Sequence, residues 1–213
     1  MPPGSRVPSP TVKRSRANLS GMRGLDARTV ISRWASGYVP AAAALFAASI
    51  VAGFLLGTQV PTTLLQGETG GSTFLPNEIT FVTILVNNLI AITVALLGAV
   101  SIGLFSGFVL VLNGVVVGAV VQLALRELSA LTVFMLIAPH GIIEIPAILL
   151  VAAIGFRFGH RTYRYVRGRS DELVTSQDIR EAALLYGVAV GMIVVAAWIE
   201  TEVTLSLAQR IAE

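Results

Sequence analysis

The chain has 213 residues, 54% of them hydrophobic and 13% charged, a charged share about half that of an ordinary soluble domain, so it reads as an integral membrane protein. It has no cysteine and two histidines, which excludes disulfides, thiolate metal sites and cysteine nucleophiles. The formal net charge of +3 does not indicate nucleic acid, because the basic residues gather in two segments beside apolar runs, which is the pattern of membrane topology.

Residues 1–37 read as a basic cytoplasmic tail. Within it, 1–20 mixes Pro2, Pro3, Pro8 and Pro10 with basic and hydroxyl side chains, a composition that buries no core and predicts disorder. The first apolar run starts near Tyr38 and is too long for the core of a signal peptide, so no cleaved signal is expected. Ser20 is a candidate cap for a short helix over 21–36. There Met22, Leu25, Ile31 and Trp34 are apolar and Arg23, Arg28 and Arg33 basic, the makeup of a helix lying in the membrane interface.

Residues 38–213 predict an all-α polytopic transmembrane bundle of about five spans, over 38–60, 81–102, 107–125, 130–156 and 182–199. The first span is free of charge, with Tyr38 and Trp34 placed as interfacial anchors. The connector 61–80 carries Glu68 and Glu78 but neither Lys nor Arg, and is expected outside the cytoplasm. Residues 81–125 make 45 residues without a charge, about twice what one helix needs. The run must therefore fold back, and the Gly103-Leu104-Phe105-Ser106-Gly107 cluster marks the turn. Charge supports that count. Seven basic residues precede the first span, and six arginines lie between 157 and 180. Both segments belong in the cytoplasm, which requires an even number of crossings between them. Five spans thus predict a cell-membrane protein with a cytoplasmic amino terminus and an extracytoplasmic carboxyl terminus.

The fourth span holds Pro139-His140-Gly141-Ile142-Ile143-Glu144-Ile145-Pro146. Each proline removes an amide donor and crowds the carbonyl four residues earlier, at Met135 and Ile142, while Gly141 tolerates strained dihedrals. A helix broken or kinked over Pro139 to Gly141 is expected, with Pro146 a second breaking point. His140 and Glu144 share a helix face, and Glu144 lies about 19 Å along the helix from Arg157, near the midplane. An ionisable group there costs about 2.5–3.5 kcal/mol on insertion scales and seeks a partner. A satisfied structural pair and a binding or gating site both fit. Residues 158–181 predict an arginine-rich loop with His160 solvated or facing headgroups and a short surface helix starting over 170–180. The last span follows, bounded by Glu181 and Glu200.

Small residues at spacing four, Gly53 and Gly57, Gly103 and Gly107, Gly114 and Gly118, Gly187 and Gly191, predict close helix packing within a bundle or a homodimer. Asn87, Asn88 and Asn113 place amides in hydrocarbon. Asn87, Ala91, Ala95 and Gly98 trace a stripe suited to face His140 and Glu144. These five polar residues, His140, Glu144, Asn87, Asn88 and Asn113, form the candidate intramembrane site, with plain interhelical bonding as the alternative. Neither His-Glu-x-x-His nor Gly-x-Ser-x-Gly occurs. One histidine with one glutamate falls short of the three protein ligands of catalytic zinc. No catalytic residue, metal, cofactor or enzymatic activity is expected.

The order Asn87-Asn88, Gly98, Gly103, Asn113-Gly114 with Gly118, Pro139-His140-Gly141 with Glu144, and Gly155 resembles the stage II sporulation protein M family over residues 81–160. The Pro-His-Gly-x-x-Glu element is the most specific part. The resemblance implies a multi-spanning membrane protein, in spore formers a scaffold of the engulfment machinery that recruits cell-wall hydrolases. A non-enzymatic scaffold or assembly component is therefore expected, partnered in the lipid bilayer by a second copy or another membrane protein and not by nucleic acid. The alternative is a permease-like transporter subunit with a midplane polar site at His140 and Glu144.

Overall fold

A computed structural model describes residues 37–60, 80–169 and 173–204, together with Val30, Trp34 and Ser206. The expectations for the tail 1–20, for most of the interfacial helix 21–36, for the connector 61–79 and for 207–213 lie outside the described residues. Among the described residues five long helices carry the fold: α1 (Tyr38–Gly57), α2 (Phe81–Leu96), α3 (Leu104–Glu127), α4 (Ala130–Val166) and α5 (Ser176–Ile199). All five are long and apolar enough to cross a membrane, and the protein is a multi-pass membrane protein. No strand occurs among the described residues.

The helix starts follow local hydrogen bonding. Thr80 caps α2 in a reciprocal pair with Thr83, Ser129 caps α4 through the Thr132 amide, and Thr175 and Asp178 form a capping box at α5. The fold-back differs from expectation in position. It lies over 97–103 rather than 103–107, because α2 tightens into a 3-10 turn at Leu97–Ala99 and Gly103 then takes the left-handed conformation at φ 85°. The Gly103 amide donates to the Gly98 carbonyl at 2.8 Å, and Ser101 Oγ accepts from the Phe105 amide at 3.1 Å. Gly103 is thus the turn residue, while Gly107 already sits inside α3.

The arginine-rich loop is also shorter than expected. α4 runs 37 residues without interruption through Pro139, Pro146 and on to Val166, about 55 Å of helix against a hydrocarbon core of about 30 Å. Arginine is a good helix former. The first stop signal is Gly168 at φ 63°, where the Arg169 amide reaches back to the Arg164 carbonyl at 2.8 Å. His160 therefore sits on α4, exposed, with Nδ1 2.8 Å from the Tyr38 hydroxyl at the start of α1.

Packing centres on α4, which touches each of the other four helices. Ala147, Val151, Ala152, Ala189 and Ala95 are fully buried around it, and small side chains let the helix axes approach. α1 pairs with α3 rather than with α2. At that seam a Cβ on Gly114 would press on the Phe46 carbonyl at 2.9 Å, one on Gly118 would overlap the Ile50 carbonyl, and one on Gly53 would overlap Val115. These spacing-four glycines therefore act as predicted, letting backbone meet backbone. Gly187 and Gly191 on α5 meet nothing within 4 Å. Where α2, α3 and α4 cross, the buried Ser106 hydroxyl donates to the Ala95 carbonyl at 2.7 Å beneath Gly98 and Gly155. Arg126 of α3 donates to the Gly57 and Val60 carbonyls at 2.6 and 2.8 Å and so closes the end of α1.

Candidate functional site

His140 and Glu144 lie one turn apart on the face of α4 that meets the end of α5. The apolar stretch of α5 stops at Ile199, and Glu200–Thr204 continues as a π-helical turn. The wider turn lets carbonyls of the last α-helical turn take side-chain donors, and Thr201 Oγ1 donates to the Ala197 carbonyl at 2.8 Å. Single π-turns in α-helices recur at functional sites. This one brings Glu200 and Thr204 against α4. The ligand atoms of His140, Glu144 and Glu200 lie within 4.8 Å of one another, and all three side chains are half-buried. Thr204 Oγ1 sits 3.3 Å from His140 Nδ1.

The cluster's depth follows from helix lengths. Along α4, Glu144 is about 19 Å from Arg157, and along α5, Glu200 is about 28 Å from Glu181. It therefore sits where α5 ends its apolar run, with ten residues of α4 lying between Ser129 and His140.

Among the predicted site residues, Gly141 is buried beside this cluster, Pro139 is half-buried and Pro146 is exposed. The three asparagines differ from one another. Asn88 is buried at 7% exposure whereas Asn87 is exposed. One residue is a rotation of about 100° on a helix, so the stripe drawn through Asn87 misses the interior that Asn88 enters. The other end of that stripe does reach α4, since Ala95 and Gly98 pack on Gly155. Asn113 donates to the Val109 carbonyl of its own helix at 2.9 Å. The groups gathered around His140 and Glu144 are thus Glu200 and Thr204. Glu200 had been read only as the boundary of the last span, and its role carried no local signal, because it lies 56 positions from Glu144 in the chain.

A second polar assembly locks the opposite, basic end. Trp34 and Glu181 are buried to 1% and 0% exposure. Trp34 Nε1 donates to Glu181 Oε2 at 2.9 Å and Gln177 Nε2 to Glu181 Oε1 at 2.9 Å. The Arg157 guanidinium lies 4.1 Å above the indole centroid, its Nη2 3.2 Å from Asp178 Oδ1, and Arg161 pairs with the other Asp178 oxygen. Trp34 is therefore a buried clasp between α4 and α5 rather than the interfacial anchor expected. The capping pattern Thr175-x-x-Asp178 was the one sequence signal available there.

The family model described as Stage II sporulation protein M matches residues 42–205. An uncharacterized protein of Methanocaldococcus jannaschii is 33% identical over 139 residues, 64% of this chain and 78% of that protein. No solved structure matches. The family match is wider than the 81–160 window of motifs and takes in α1, α5 and Glu200.

Proposed function

The chain belongs to the stage II sporulation protein M family, and from that premise we propose that it is a non-enzymatic scaffold or assembly component of a membrane complex. The observation that carries this reading is the backbone-to-backbone α1–α3 seam at Gly53, Gly114 and Gly118. Interlocked in that way, with the Trp34–Glu181 clasp at one end and the His140–Glu144–Glu200 cluster toward the other, the bundle suits holding a fixed shape for partners. The open faces of Gly187 and Gly191 admit a close-packed helix from a second copy or from another membrane protein. The amino terminus is cytoplasmic and the carboxyl terminus extracytoplasmic, the orientation that the two basic segments favour.

A permease-like subunit is the second reading, favoured by the polar cluster on a proline-containing helix. Purification after cross-linking in native membranes, paired with flux measurements in proteoliposomes, separates the two. The scaffold reading expects a stoichiometric protein partner and no flux above empty vesicles. Flux that disappears in Glu144→Gln replaces it with the permease reading. For orientation, a carboxyl-terminal reporter active only in the cytoplasm overturns the five-span topology.

A further inference from the structure

We infer that His140, Glu144 and Glu200 form a site for one divalent transition-metal cation, of the zinc type, that clamps the end of α5 onto α4. The inference does not rest on the scaffold reading and stands or falls without it.

The geometry supplies the donor set. Three ligand atoms from two helices lie within 4.8 Å of one another; tetrahedral ligands with bonds near 2.0–2.2 Å stand about 3.3–3.6 Å apart, so side-chain shifts of about an ångström close the three onto one cation. The expectation of no metal rested on a count of two protein ligands; Glu200 raises it to three, one nitrogen and two carboxylate oxygens. A fourth position remains for water, as in open zinc sites. An imidazole in the set favours zinc and its neighbours over magnesium or calcium, which take oxygen donors.

The surroundings point the same way. Two half-buried carboxylates brought side by side are held there at a cost unless a cation lies between them. A dication with two carboxylates and a neutral imidazole makes a neutral assembly. Thr204 Oγ1, 3.3 Å from His140 Nδ1, is placed to accept the Nδ1 proton. That bond fixes the tautomer that presents Nε2 as a ligand, the usual outer support of a metal-bound histidine. The π-turn at Glu200–Thr204 is what delivers both Glu200 and Thr204 to the same spot.

The test uses the full chain in lipid nanodiscs, stripped with EDTA and titrated with zinc chloride, with metal content read by mass spectrometry and thermal unfolding read in parallel. About one zinc per chain and a rise in Tm of about 5 °C or more, reversed by EDTA, are expected. Magnesium at the same concentration leaves Tm unchanged. Glu200→Gln and His140→Ala abolish the zinc-dependent rise, Thr204→Val weakens zinc binding about tenfold, and His160→Ala, remote from the cluster, keeps it. Substoichiometric zinc with no rise in Tm in the unmodified protein overturns the site. An equal response to magnesium, or an undiminished response in Glu200→Gln, overturns it as well. The titration of the unmodified protein is decisive even if a variant fails to fold.

Discussion

Replacing Gly118 by alanine adds one methyl group where α3 crosses α1. A Cβ there would stand 2.7 Å from the Phe54 amide nitrogen and overlap the Ile50 carbonyl. Ordinary carbon contacts need about 3.5–4.0 Å, so the helices must part by roughly an ångström, and the neighbouring contacts at Gly53 and Gly114 loosen with them. Backbone atoms cannot rotate away as a side chain can. Overpacking of this kind costs about 1–3 kcal/mol. Alanine is the better helix former by up to about 1 kcal/mol, a gain that blurs the absolute value. Gly107→Ala supplies the reference, since it makes the same exchange in the same helix with only ordinary contacts, to Phe156 at 3.9 Å and Leu45 at 4.0 Å. Relative to Gly107→Ala, Gly118→Ala is expected to lose about 1–3 kcal/mol, read from reversible unfolding in mixed detergent micelles. If the two variants unfold at the same denaturant fraction, the tight α1–α3 seam is wrong.

Two further variants probe the basic end. Trp34→Phe keeps the ring packed against Phe158 but removes the donor to Glu181, and is expected to cost about 1–3 kcal/mol in the same assay, as for a hydrogen bond to a charged acceptor; stability within 0.5 kcal/mol of the parent refutes the clasp. Asp178→Ala removes the capping box of α5 and the partner of Arg157 and Arg161 together. It is expected to lose at least the 1 kcal/mol or so of a helix cap and to open the first turn of α5 to limited proteolysis; an unchanged cleavage pattern contradicts it.

The five spans were legible because each is an apolar stretch of spanning length. Their ends were less so. Arginine density was read as loop over 158–166, yet helix propensity tolerates arginine and only Gly168 ends the helix. The fold-back was offset by several residues because Gly98, Gly103 and Gly107 are all turn-compatible, and only the Gly98–Gly103 hydrogen bond chooses among them. In the site, the i, i+4 relation of His140 and Glu144 came directly from helix periodicity. Glu200 did not, since contacts between separate helices depend on crossing angle and register. Asn87 and Asn88 show the same limit on a smaller scale: adjacent amides are indistinguishable in a sequence, and rotation of the helix decides which one turns inward.

The Arg126 clamp has a consequence for synthesis at the ribosome. The carbonyls of Gly57, the last residue of α1, and of Val60 just beyond it receive their donors from a residue 69 and 66 positions later in the chain. At about 5–20 residues per second that residue follows by roughly 3–14 s. During that interval α1 has neither its capping arginine nor α3, the helix whose glycines it fits. The first span must therefore wait unpaired, beside lipid or the insertion machinery, while α2 passes it by, and its first partner in the bundle is the third span rather than the second.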